Sequence, residues 1–346
     1  MKAAVLHGAR DLRIETWRQP ELQPGMVLLR TRRVGICGTD LHYYEHGYNA
    51  TFVPDRPFIL GHELTAEVAA VAADVESVKA GQRVTVNPAR ACGFCAYCKG
   101  GQINLCRKTI MLGSASTTPP TDGALAEFLT VRADQCHLLP PDMDDGIGAM
   151  MEPLSVALHA VKRAGTISGK RVLVTGGGTI GLLVAMTARA FGAVPVAVSD
   201  IVAERRTKAL EVGADVALDP RASDLHDKVR ELTGLGFDMV FEASGAPPAL
   251  RAAFDLVRPG GTIVQIGTVG TADIPIPVNQ IMVREINFRG SMRYGDTFDE
   301  AISLVAAGRI DVRSLINRIF PLDESVDALH FAADKTMALK VQIQPW

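Results

Sequence analysis

Four of the six cysteines fall in the pattern Cys92-x2-Cys95-x2-Cys98-x7-Cys106, fifteen residues from first to last. Four soft thiolates in a tetrahedral array suit zinc, and four protein ligands leave no place for a substrate, so such a site would be structural. The rival, an iron–sulfur run, has a shorter last spacing followed by proline, whereas Arg107 follows Cys106 here. A second polar set is scattered: Cys37-Gly38-Thr39-Asp40-Leu41-His42, Gly61-His62-Glu63 and Met151-Glu152-Pro153. A catalytic zinc takes about three N, S or O ligands and keeps one position open. Cys37, His62 and a carboxylate, Glu63 or Glu152, would supply them. Singly, each has an ordinary explanation as a core thiol, a turn histidine or a surface acid; together they read as a site.

A third pattern is Gly176-x-Gly178-x-x-Gly181, which leads from an apolar run into an apolar helical stretch through Thr179 and Ile180. Glycine there allows a tight bend, close approach of a pyrophosphate and close helix–strand packing. The helix N-terminus then presents free N–H groups to the phosphates. Asp200 closes the next apolar run, 19 residues after Gly181, where a carboxylate accepts from the adenosine ribose hydroxyls. An acid there repels a 2′-phosphate, which favours NAD over NADP. Arg205 and Arg206, close by, pull the other way.

These groups need elements to hold them. At 346 residues the chain exceeds the roughly 100 to 200 typical of one domain. Up to about residue 150, AAVLH, MVLLRTRRVG, LTAEVAAV and QRVTVNP read as short strands between turns, as in an antiparallel barrel-like domain. After Gly169, strands at 171–175, 195–200, 215–219, 237–245 and 261–267 alternate with helical stretches, the mark of a doubly wound parallel sheet. INFRGSMRY (286–294) is expected as a further strand, followed by helices near 297–307 and 323–333 and a closing strand ALKVQIQ. The fold class is therefore α/β with a β-rich partner domain. A hydrophobic fraction of 47% and a net charge of −2 exclude disorder. With no basic block, neither nucleic acid nor a membrane surface is an expected partner. Apolar runs break well short of the roughly 18 residues of a membrane span, and the first residues lack a secretory apolar region, so a cytoplasmic protein is expected.

In order along the chain, GICGTDLH, GHE, the cysteine lobe, MEPLSVALHA, GGGTIG and SMRY resemble the zinc-dependent medium-chain alcohol/polyol dehydrogenases over essentially the whole length. GICGTDLHYYEHG, NPARACGFCAYC and LGSA…TDGALAEF are most similar to the sorbitol-type branch, and within it to L-idonate 5-dehydrogenases. The resemblance implies a GroES-like catalytic domain at 1–153 and 293–346 and a Rossmann NAD-binding domain at 154–292. It carries Cys37, His62 and Glu63 over as catalytic zinc ligands. Glu152 falls where the simple alcohol dehydrogenases place a cysteine ligand, so the choice between Glu63 and Glu152 stays open. It assigns Asp40 to orienting the ring of His62, Thr39 and His42 to a proton relay, and Tyr43, Arg293 and Tyr294 to the substrate. One departure is Ala66, where the family's G-H-E-x-x-G has glycine.

The implied activity is hydride transfer from a secondary hydroxyl of a sugar acid or polyol to NAD, with two zincs per chain, one catalytic and one structural. L-Idonate to 5-ketogluconate is the leading expectation and a sorbitol/xylitol-type polyol dehydrogenase the alternative. A zinc-independent reductase of the same fold is disfavoured because the ligands are intact. INFRGS at the end of the parallel sheet would pair with a second copy, and the resemblance points to a homodimer and, for the polyol branch, a homotetramer.

Overall fold

Val27, Leu29 and Thr31 are buried while Met26, Leu28 and Arg30 are only half-covered, the period-two signature of the strand Met26–Gly35. Around it the main sheet runs Cys136–Leu138, Arg83–Val86, Glu63–Val71, Met26–Gly35, Lys340–Gln344 and Ile316–Pro321, with Phe128–Arg132 also paired to Met26–Gly35. The last two strands in that order pair parallel and the other pairings are antiparallel. Gly35 stands opposite Glu63 on one side and opposite Gln342 on the other. Leu29, Val34, Phe58, Leu64, Leu125 and Ile343 are among the side chains of the enclosed core.

The computed structural model describes residues 1–270 and 273–346. The chain divides into two units: 1–152 with 298–306 and 312–346, and 153–297 with 307–311. The second holds a six-stranded parallel sheet in the order Val216–Leu218, Val196–Ser199, Val172–Thr175, Phe237–Glu242, Val257–Gln265, Asn287–Gly290. Val172–Thr175 and Val196–Ser199 are buried along their whole length, as a sheet covered on both faces requires. The connections reverse direction between Val172–Thr175 and Phe237–Glu242, the switch point at which open α/β sheets bind ligands. The α/β class with a β-rich partner domain is therefore the observed one.

Two expectations need correction. INFRGSMRY is a strand only over Asn287–Gly290. Arg293 has φ +52°, in the left-handed region, which no strand accommodates. The stretch read as strands and turns up to about residue 150 also contains the helix Gly38–His46, started by Asp40 Oδ2 accepting from the Cys37 N–H at 2.9 Å and stopped by Gly47 at φ +77°. Met151–Ala164, to which the sequence reading assigned no element, forms a helix. Among the described residues, no helix is long and apolar enough to cross a membrane.

Candidate active site

The lobe is built locally. Cys92, Cys95, Cys98 and Cys106 bring their sulfurs within 4.8 Å of one another. A short helix, Ala96–Lys99, starts at Cys95 and turns Cys98 back toward it, the two sulfurs lying 3.4 Å apart. Backbone N–H groups of Cys92 and Lys108 donate to Cys106 Sγ at 3.3 and 3.4 Å. Burial opposes them, but these bonds win and bring the Cys106 thiol down to about 6, while desolvation and the neighbouring thiols push Cys98 up to about 12. Four converging thiols resist shared ionisation unless a cation sits among them, which is the donor set of a closed zinc site.

The other set is assembled by the sheet. Cys37 follows the end of Met26–Gly35, and His62 and Glu63 lie where the neighbouring strand begins. One donor atom from each of Cys37, His62 and Glu63 lies within 4.8 Å of the others. Asp40, fully buried, accepts from Cys37 N–H and Gly61 N–H at 2.9 and 3.0 Å and faces His62 Nδ1 at 3.8 Å. Burial pushes the imidazole pKa down, but the charges of Asp40, Cys37 and Glu152 outweigh it, and His62 is held well above its ordinary value. Buried His62 Nδ1 has no hydrogen-bond partner here, and sulfur, nitrogen and oxygen donors converge beside it. That donor chemistry fits a zinc with an open position. Glu152 is buried at the start of Met151–Ala164 but outside the converging trio.

Thr39 is half-buried and His42 exposed on the helix that Cys37 begins. Tyr43 is fully buried, edge-on to Phe58, and its hydroxyl accepts from Ala115 N–H at 2.9 Å. In this helix the ring, expected to face a substrate, lies against the strand Phe58–Ile59.

In the second unit the glycine turn has the demanded geometry. Gly176 has φ +96°, and a Cβ there would lie 2.8 Å from Ser244 Cα. A Cβ on Gly181 would lie 1.8 Å from Gly176 O. Over Gly178 a Cβ would meet only Arg205 Nη1, at 3.6 Å, so the turn keeps an open cradle with a guanidinium beside it. Thr179 and Ile180 begin the twelve-residue helix Thr179–Ala190, whose leading N–H groups face that cradle side. This arrangement fits a dinucleotide pyrophosphate. Asp200 accepts from Gly177 N–H at 2.7 Å and Val202 N–H at 2.8 Å, and Arg205 Nη1 lies 4.0 Å from it. Arg206 is engaged by Asp219 and the Asp200 carbonyl. Arg293 is half-buried and Tyr294 buried, both in this unit.

Sequence reading missed three residues. Lys340 Nζ donates to both Glu63 oxygens, at 2.6 and 2.8 Å. Burial lowers its pKa, yet Glu63 outweighs burial and holds the ammonium above its ordinary value. Gly35 makes that contact possible, because a Cβ there would lie 2.2 Å from Glu63 Oε2. Glu242 is fully buried at the switch point, where it accepts from Ser244 N–H, Gly245 N–H and Gln265 Nε2 at 2.9, 3.1 and 2.7 Å and so fixes the segment packed on Gly176. The FEASG run offered a signal for Glu242, an acid ending an apolar strand just before a Ser-Gly turn.

Residues 23–141 match the alcohol dehydrogenase GroES-like domain, and residues 179–307 match the zinc-binding dehydrogenase family. The chain belongs to the zinc-dependent medium-chain polyol dehydrogenases. A sorbitol dehydrogenase of Bacillus subtilis (strain 168) is 37% identical over 100% of this chain and 97% of its own length. The crystal structure of L-idonate 5-dehydrogenase from Escherichia coli superposes with a TM-score of 0.94 at 34% identity, covering 99% of this chain and 97% of that one. A zinc-binding dehydrogenase from Sinorhizobium meliloti 1021 bound to NADP gives a TM-score of 0.89 at 32% identity, covering 99% of each.

Proposed function

We propose that this polyol dehydrogenase oxidises a secondary hydroxyl of a sugar acid, L-idonate to 5-ketogluconate, with transfer of hydride to NAD. The observation that carries the oxidation is the three-donor set Cys37, His62 and Glu63, whose converging atoms include no fourth protein ligand among the described residues, and the choice of sugar acid is supported by the similarity to the L-idonate 5-dehydrogenase structure. Cys37, His62 and Glu63 would hold the metal, with Glu152 set back from it. When bound, zinc makes a substrate hydroxyl acidic near neutral pH, and NAD accepts the hydride. Asp40, whose charge faces His62 Nδ1 at 3.8 Å, would orient the ring, a role that ligating imidazoles need filled. Thr39 and His42 carry the released proton toward solvent, which the exposure of His42 favours. Tyr43 would face the substrate while its hydroxyl holds the 114–115 segment.

Gly176, Gly178, Thr179, Ile180 and Gly181 would seat the pyrophosphate, with Arg205 against it, and Asp200 would favour NAD by repelling a 2′-phosphate. Arg293 would grip the substrate carboxylate, since a planar guanidinium offers two parallel hydrogen bonds, with Tyr294 as its neighbour in the substrate site. A sorbitol/xylitol-type activity is the second reading, favoured by the 37% identity to a sorbitol dehydrogenase.

The deciding experiment compares NAD reduction with L-idonate, sorbitol and xylitol, and then the effect of Arg293→Met. The sugar acid should have the highest kcat/KM, and the variant should raise KM for the acid more than for the neutral polyols. A higher kcat/KM for sorbitol in the unaltered enzyme would establish the polyol reading instead.

We also propose a homodimer, and a tetramer built from it. Asn287–Gly290 ends the sheet with all four residues exposed, and Val278, Met282 and Val283 of the preceding helix are 64, 67 and 69% exposed. Two copies pairing about a two-fold axis would cover that edge. Light scattering returning a 37.0 kDa monomer at micromolar concentration would refute it.

A further inference from the structure

Lys340 is only 3% exposed, and its Nζ reaches the carbonyl of Ile36 at 3.1 Å besides both oxygens of Glu63. An ammonium has three protons to donate, and three acceptors receive them here. A charge this deep is tolerated only when it is paired. The carboxylate lies across Gly35 to meet it: Glu63 and Gln342 flank Gly35 in register, and only a residue without Cβ leaves room for Oε2 between the strands. Asp40 and Glu152 are buried in the same unit, and Cys37 shares the converging trio with Glu63. The Glu63 carboxylate therefore has two claimants, the ammonium that holds it and a metal cation among the three donors.

We propose that Lys340 is the chain's own substitute for the zinc charge: it neutralises Glu63 in the metal-free protein and competes with zinc for that carboxylate. The proposal rests on the reading of Cys37, His62 and Glu63 as ligands. Its direction is the reverse of a simple scaffold's. Removing a prop loosens the metal, whereas removing a competing cation tightens it, because like charges repel across a few ångströms of poorly solvated protein. The metal-free protein should suffer most from the loss of Lys340, since a buried carboxylate is then left bare.

Lys340→Met keeps a long side chain and removes the charge. Full-length protein is dialysed against a chelator until one zinc per chain remains. Uptake of the second zinc is then measured by competition with a chromophoric chelator, and thermal unfolding is followed with and without it. The variant should bind the second zinc at least about tenfold more tightly than the unaltered chain. It should unfold earlier without that zinc and gain more when the zinc is added. Equal or weaker affinity, or an equal gain in both proteins, overturns the proposal and leaves Lys340 a structural prop. Should the methionine variant not fold, Lys340→Gln, which can still donate to Glu63, is held to the same expectation. If neither folds even with zinc supplied, the proposal also falls, because zinc should replace the missing charge. The ligand reading is tested separately: if Cys37→Ser still takes up two zincs, that reading fails whatever Lys340 does.

Discussion

The two cysteine-bearing sites are built in opposite ways. The lobe collects its four sulfurs from Cys92 to Cys106, on a short helix and its flanking turns, with Cys92, Cys95 and Cys98 half-buried and only Cys106 buried. The other set takes Cys37 from one side of a strand ending, His62 and Glu63 from the neighbouring strand's start, and an ammonium from 277 residues beyond Glu63. One site is a property of a loop and the other a property of sheet register. Four ligands from one segment make a rigid staple with nothing left to offer. Three ligands from the ends of two neighbouring strands leave a coordination position that only a substrate or water can fill.

That contrast can be broken by exchange of single atoms. The largest effect belongs to Cys37→Ser, which should abolish turnover and remove about one zinc per chain while NADH still binds, as metal analysis and nucleotide fluorescence would show. Full activity in that variant would put the reaction elsewhere. Cys95→Ser should instead lower soluble yield and the thermal midpoint, because it opens a closed structural site; the fraction that folds should keep its kcat. Should Cys95→Ser lose activity at undiminished stability, the division into staple and reactive site is wrong. The smallest effect is expected outside both sites. Asp200→Ala should weaken NAD by about tenfold through loss of a charge-assisted hydrogen bond and should improve NADP relative to it. A wild type that already prefers NADP would transfer the choice to Arg205.

Legibility followed the same divide. The cysteine spacing, the glycine turn and the alternation of Val172–Thr175, Val196–Ser199 and Phe237–Glu242 with helices are all local, so sequence alone exposed them. Lys340 was invisible for the opposite reason. In ALKVQIQ a lysine on an alternating strand reads as its solvent face, and its partner is distant in sequence. Glu63 and Glu152 looked equivalent until the strand register set Glu63 beside Cys37, while Glu152, on the helix Met151–Ala164, stays outside the converging trio. The helix Gly38–His46 went unread because its start depends on Asp40 reaching back to Cys37, where an alternating-strand reading looks for apolar spacing. The strand expected through Arg293 spans only Asn287–Gly290, and the left-handed backbone at Arg293 keeps that residue out of any strand.

The strand Lys340–Gln344 also sets an order in time. A ribosome adding about 5 to 20 residues per second exposes Cys92 to Cys106 nearly together, so the lobe can capture its metal while the chain is still growing. Glu63 emerges 277 residues before Lys340, and for roughly tens of seconds its carboxylate must wait in a sheet that lacks the strand carrying the lysine. The central pairing of Gly35 with Gln342 cannot form until the strand Lys340–Gln344 has left the tunnel. Pairing of the Glu63 carboxylate thus waits for synthesis of a strand 277 residues further on, and a chain interrupted before Lys340 would keep every zinc ligand yet lack the cation beside Glu63.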